Sequence, residues 1–480
     1  MFHMSKERAT AWIDMNSRRM VSASDQIWEF AEVGLQEFRS SALLADELEK
    51  AGFKVQKGVA GIPTSFVATY GEGSPVVGVM GEYDALPGLS QKAIPKREAL
   101  ADGAPGHGCG HNIHGTSGAF GAIAVKESME AERTKGTVKF FGCPAEETLV
   151  GKVFMVREGV FDDVDVVLSH HPGQMNAATL ISHNAMNSMK FHFYGKASHA
   201  GGSPEQGRSA LDAVELMNTG ANYLREHIIQ EARLHYTIEE GGHEPNVVPP
   251  YARSWYYVRA PERDQVERIY ERILKIADGA DLMAETSHKV DFLTGCYNTL
   301  PNLPLAELVV TNMRELGAPT YSEEELAFAK EITRTFPVDE KRSSLRKSKR
   351  PGWEKLLDVV MDTSTPSPWG FGESSGGSTD VGDVSWITPT VEFQTATSPL
   401  GTPGHSWQRV ACSKVGIGHK SLLFATKTIA CTVVDLLTEP GVLKRIREEF
   451  AESTRGDKYK SPLPEGLRPP LDILPRRPQG

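Results

Sequence analysis

The stretch Thr137-Val138-Lys139-Phe140-Phe141-Gly142-Cys143-Pro144-Ala145-Glu146-Glu147-Thr148 holds a short apolar run that ends on two adjacent carboxylates. A run of this length reads as a buried strand, and residues just past the carboxyl end of such a strand stand where α/β proteins build their sites. Before it, residues 115–133 carry a helical pattern. Further short apolar runs at 65–70, 76–81 and 164–169 alternate with helical segments at 6–29 and 41–51, the second stopped by Gly52. Strands alternating with helices predict an α/β domain with a mixed central sheet flanked by helices.

From about residue 187 the pattern changes. Residues 187–195 and 252–260 read as strands, 209–232 and 262–278 as helices, and 287–295 as a further strand. This set predicts a smaller α+β unit at 187–298, inserted between the two parts of the larger domain at 1–186 and 299–480. Residues 337–375 are polar and rich in Ser, Lys and Pro, and read as a surface excursion whose basic run at 341–350 is a solvated face. The Pro-rich tail after Lys460 reads as extended or loosely packed.

The 480 residues, 40% hydrophobic and 24% charged, have the composition of a globular protein of two domains. A formal net charge of −10 argues against a nucleic-acid partner, which needs clustered cations, and favours a small-molecule or peptide substrate. No apolar run approaches the roughly 18–20 residues of a membrane span, and the N-terminus lacks the layout of a signal peptide, so a cytoplasmic location is expected. The five cysteines, Cys109, Cys143, Cys296, Cys412 and Cys431, are odd in number and scattered, which suits reduced thiols. One of them is therefore free to bind metal.

Metal-ligand chemistry recurs at four places. In Gly106-His107-Gly108-Cys109-Gly110-His111-Asn112-Ile113-His114-Gly115-Thr116, Cys109 and His111 lie two residues apart at a helix entry, within reach of one metal cluster, and a helix N-terminus with a nearby cation favours the thiolate. Glu146 and Glu147 follow the strand quoted above. His170-His171-Pro172 ends another apolar run, and His405 sits in the glycine-rich turn Gly401-Thr402-Pro403-Gly404-His405-Ser406.

With these motifs, and with Gly81-Glu82-Tyr83-Asp84-Ala85-Leu86-Pro87, Gly195-Lys196-Ala197-Ser198-His199-Ala200, Asn246-Val247-Val248-Pro249 and Gly377-Ser378-Thr379-Asp380-Val381-Gly382-Asp383, the sequence resembles the metallopeptidase family of aminoacylases, hippurate hydrolases and auxin-conjugate amidohydrolases over nearly its whole length. The resemblance implies a catalytic domain carrying two divalent cations, Mn²⁺ or Zn²⁺, and an inserted lid that also makes the dimer contact. Cys109 would bridge the cations, with His111, Glu147, His171 and His405 completing the ligand set and Glu146 acting as general base. Asp84 would orient a ligand. His199 and Asn246 would stabilise the oxyanion, His199 reaching across the dimer. His171 is preferred to His170 because it precedes Pro172.

The chain departs from the family pattern at Asn112, where many relatives have Asp, and at Glu82, where other branches have a ligand His or an Asp. Glu82 is an extra ligand, an outer group, or neither. Arg259 suits a substrate carboxylate or, equally, a salt bridge inside the small unit. His107 and His114 are expected to support the metal loop, and His243 has no assigned role. The implied activity is hydrolysis of an N-acyl or N-aroyl amino acid. Alternatives are a dipeptidase or carboxypeptidase of the same chemistry, and a subunit that is noncatalytic or active only beside a related one. Homodimer and heterodimer both remain open.

Overall fold

The computed structural model describes residues 4–473. Its strands are β1 (Lys54–Lys57), β2 (Phe66–Glu72), β3 (Val76–Glu82), β4 (Gly136–Cys143), β5 (Val166–Gly173), β6 (Ala177–Ala178), β7 (Ala185–Tyr194), β8 (Arg233–Glu240), β9 (Tyr251–Ala260), β10 (Ser287–Cys296) and β11 (Thr390–Ala396). Seven of them form one sheet in the order β1-β2-β4-β3-β5-β11-β6. The inner strands β4, β3, β5 and β11 run parallel, while β1, β2 and β6 pair antiparallel at the margins. The mixed sheet flanked by helices is therefore present as expected.

Successive residues of a strand face opposite sides, and here both sides are apolar. Val79, Phe140 and Leu168 pack with the helices His111–Glu132, Gly416–Thr438 and Met4–Met15, whereas Met80, Phe141 and Val167 pack with Gly151–Arg157 and Val381–Ser385. Each such side chain, wholly withdrawn from water, stabilises the fold by about 1.5–3 kcal/mol. The helix His111–Glu132 lies close on β3 because Gly115 has no side chain: a Cβ there would stand 2.6 Å from the Glu82 carbonyl oxygen. Register then brings Glu82 level with Cys143 and Gln394 level with His171, so the carboxyl ends of the four parallel strands open on one rim.

The second sheet is wholly antiparallel, in the order β10-β7-β9-β8, and packs the helices Ala210–Leu224 and Arg263–Ala284 on one face. The burial of β9 alternates strictly along its length, as expected of a strand with one face on a core.

Several expectations need correction. The helix expected over 209–232 ends at Leu224, runs on as a single tight turn Arg225–His227, and is followed by β8, which was not foreseen. β8 is an edge strand with mostly exposed side chains, so it has no apolar alternation to betray it. The helix expected over 6–29 is broken after Met15, at Asn16, whose amide donates back to the Trp12 carbonyl at 2.9 Å. Residues 337–375 are partly structural: the helix Val338–Lys347 buries Leu345 and Lys341, the Lys341 ammonium donating to the Val359 carbonyl at 2.6 Å. Arg350 is also buried, paired with Asp362 at 2.6 Å, so the basic run is not a solvated face throughout.

Up to Ile473 the tail is not loose, because Leu463 and Ile473 are buried and, just before it, Tyr459 donates to Asp383 at 2.7 Å; residues 474–480 lie outside the described residues. Finally, the helix Gly416–Thr438 does reach the length and apolarity of a membrane span, contrary to the reading that no run approaches it. Its apolar window is 83% buried, which makes it the central core helix.

Candidate metal centre

Glu146 and Glu147 owe their placement to two acids upstream. The tight turn Glu146–Thr148 is flanked by Ala145 and Leu149, both left-handed at φ 57° and 56°, a conformation that persists only when the surroundings impose it. Glu37, fully buried, accepts from the Ala145 N–H and from the Thr64 hydroxyl, both at 2.8 Å. Asp84 accepts from the Glu147 N–H at 2.9 Å with one oxygen and contacts His111 Nδ1 at 2.8 Å with the other. One carboxylate thus sets both the turn and the imidazole, and leaves His111 Nε2 facing the rim.

Gly110 between Cys109 and His111 has φ +79°, and a Cβ there would meet Pro172 at 2.9 Å. It starts the helix that carries His111 and brings Cys109 up against His171. Of the two adjacent histidines, His170 is spent on the hydroxyls of Ser117 and Thr395, at 3.0 and 2.8 Å. His171 has only its Nδ1 engaged, on the Pro172 carbonyl at 3.0 Å, so its Nε2 is left for a ligand role. His405, with φ 48° and its side chain 60% exposed, brings Nε2 to 3.4 Å from Glu147.

The donor atoms converge in three overlapping triads, each within 4.8 Å: Cys109 with His111 and His171, Cys109 with Glu147 and His405, and Glu82 with His111 and Glu146. Three buried atoms among them, Glu82 Oε2, His111 Nε2 and Glu147 Oε1, have no hydrogen-bond partner among the described residues, although the first two approach each other to 3.3 Å. Buried polar atoms left unpaired are costly, and three of them distributed over adjoining ligand triads fit bound cations. Burial and the neighbouring Glu147 charge push the Cys109 thiol up to about 12, so the protein alone keeps it protonated and a cation would be needed to make it a thiolate. Burial and the charges of Glu82 and Glu147 also hold Glu146 well above the usual carboxylate range.

Glu82 is held by a group the motifs did not suggest. Lys152, fully buried, bridges Glu82 at 2.7 Å and Asp380 at 2.5 Å. Burial opposes the Glu82 charge, but His114, Lys152 and His111 around it outweigh that and keep its carboxyl below its ordinary range. His114 accepts the Glu82 N–H at 3.0 Å, and His107 contacts the Ile27 carbonyl at 3.0 Å, so both brace the loop as expected. Asn112 is also structural, donating to Ser24 Oγ at 3.0 Å.

Cys109, Glu146, Glu147, His171 and His405 line one chamber of about 300 Å³ together with Arg259, His183 and Glu392. Arg259 Nε is buried without a hydrogen-bond partner among the described residues, and the guanidinium lies 5.5 Å from the Tyr257 ring. His199 and Asn246 are not brought to this chamber. Both are exposed, on adjoining loops joined by the Ala200 N–H to Asn246 carbonyl bond of 2.9 Å. Lys152, Glu37, His183 and Glu392 escaped the sequence because each stands alone, without a companion at ligand spacing. Asp380 lay inside the Ser378-Thr379-Asp380 motif and could have been found there.

Residues 78–338 match the model of Peptidase family M20/M25/M40. The chain is 42% identical to a p-aminobenzoyl-glutamate hydrolase subunit of Escherichia coli over 95% of its own length and 97% of that protein's. It is 29% identical to Xaa-Arg dipeptidase of Mus musculus, covering 93% and 92%. A structure of Bacillus subtilis YXEP, described as a dinuclear metal binding peptidase from the M20 family, shares the fold with a TM-score of 0.55 at 17% identity, over 89% of this chain and 99% of that one. A metal-binding rim on an α/β sheet, and a match of these lengths and identities, make the chain a member of peptidase family M20/M25/M40 and a metal-dependent amidohydrolase.

Proposed function

We propose that the chain hydrolyses the amide bond of an N-acyl or N-aroyl amino acid, such as p-aminobenzoyl-glutamate, with Cys109, His111, Glu147, His171 and His405 holding two divalent cations, Mn²⁺ or Zn²⁺. The observation that carries this is Cys109, shared between two ligand triads in a chamber that also holds an unpaired Arg259. When bound, the cations would activate water and polarise the scissile carbonyl. Glu146 takes the proton of the attacking water as its oxygen bonds to the carbonyl carbon, and returns it to the nitrogen as the C–N bond breaks. Arg259 grips the carboxylate of the amino-acid half through its planar fork. Asp84 keeps His111 in one tautomer.

Glu146→Ala should retain its metals, by elemental analysis, while turnover collapses. Activity above about a tenth of wild type would remove Glu146 as the base. Cys109→Ser should lose metal on dialysis, and unchanged metal content would strike it from the ligand set.

The exposure of His199 and Asn246, and their absence from the chamber lining, support their being supplied by a second subunit, in a homodimer or beside a related chain. In a two-fold homodimer, mixing and reassorting the inactive variants Glu146→Ala and His199→Ala restores about a quarter of wild-type activity. No recovery would rule out this exchange and point to a different partner chain, a reading favoured by the Escherichia coli relative, which is itself named as one subunit of a hydrolase. A dipeptidase specificity is the second reading, supported by the Xaa-Arg dipeptidase relative. A panel of N-acyl amino acids and dipeptides, assayed with Mn²⁺ and with Zn²⁺, separates the two.

A further inference from the structure

Behind the metal chamber lies a second cavity of about 190 Å³. His183, Glu392 and Gln394 line both spaces and form the neck between them. Beyond the neck Met175, Ile181, Leu300, Trp369 and Val391 supply a share of apolar wall, set among polar groups that include Thr179, Asn302, Ser348 and Lys347. The Trp369 indole N–H already donates to the Ser348 carbonyl at 2.8 Å, so the ring is left as plain apolar surface. A cavity of roughly 150 Å³ has room for a benzene-sized ring. This one is slightly larger, and joins a chamber where an amide would be cut. Arg259 lines the chamber but not the cavity, so the two address different parts of a substrate.

We infer that this cavity is the subsite for the acyl half of the substrate and that it takes a flat aromatic acyl group. The inference rests on the amidohydrolase reading above. An alkyl group as small as acetyl leaves the cavity empty, whereas a benzoyl ring fills it and is stabilised by burial. At the neck, Glu392 receives no hydrogen bond from the described side chains and is an acceptor for a ring amino or hydroxyl group. Residues 347, 348 and 369 all belong to the stretch 337–375, so this stretch, which sequence alone left without a role, forms one wall of the subsite.

The test compares kcat/KM for N-benzoyl-glutamate and N-acetyl-glutamate in the full chain purified with Mn²⁺, for wild type, Trp369→Ala and the cavity-filling Thr179→Leu. Thr179 lines the cavity at a half-buried position, so Thr179→Leu keeps the test open if Trp369→Ala does not fold. Each variant should lower the benzoyl-to-acetyl ratio at least about tenfold. Equal fractional losses on both substrates, or no loss on the benzoyl amide, would overturn the assignment. Calorimetric titration with benzamide separates the two levels of inference. If wild type cleaves neither amide but binds benzamide, and both variants bind it at least tenfold more weakly, the hydrolase reading fails and the cavity stands. No benzamide binding by wild type, or binding that both variants keep, overturns the cavity.

Discussion

Lys152 is an ammonium withdrawn from water between two carboxylates, Glu82 and Asp380, and each member of the trio depends on the others. Removing the cation leaves two buried negative charges facing the rim. Lys152→Met should therefore destabilise the protein by about 3–5 kcal/mol, read as a shift of the denaturation midpoint. A loss below about 1 kcal/mol would mean that solvent reaches the trio. At this scale the sequence was legible where residues of ligand type crowd together, as in Cys109 with His111 and Glu146 with Glu147. It was silent on Lys152 and Glu37, which each act on two partners distant in the chain, Glu82 and Asp380 for the one, Thr64 and Ala145 for the other. Arg259 could be read two ways, and the structure leaves its Nε without an internal partner.

The helix His111–Glu132 is the element on which the rim is hung, and its first turn depends on Gly110. Gly110→Ala places a side chain at φ +79° and 2.9 Å from Pro172, so a cost of about 1–3 kcal/mol is expected together with reduced metal content. A variant with full metal content and unchanged stability would show that the turn yields easily. The strands buried on both faces were legible because apolar runs of strand length leave little alternative. β8 was not, since an exposed edge strand is held by backbone pairing with β9, which no pattern of side chains records. The stretch 337–375 misled for the opposite reason, because the hydrocarbon stem of a lysine and a paired arginine can be buried while the composition looks wholly polar.

Across the whole molecule, several histidines are buried in neutral form. Burial holds His107 and His183 down to about 4, and in His183 burial is the sole cause. The unfolded chain would take up these protons near pH 6.5. The stability this contributes is therefore complete above pH 6.5 and is lost as pH falls towards 4. His183→Gln should flatten that decline by up to about 3 kcal/mol in denaturant titrations run between pH 7 and pH 4. Parallel curves for variant and wild type would refute it.

The position of β11 has a consequence in time. It is hydrogen-bonded between β5 and β6, yet it leaves the ribosome roughly 220 residues after β5 is complete. At a synthesis rate of about 5–20 residues per second, the nascent sheet waits on the order of 10–40 s with the flank of β5 bare. During that interval the smaller antiparallel unit has been made in full, and His405 has not. A cation site that includes the proposed ligand His405 therefore cannot be complete until roughly 230 residues beyond β5 have been made.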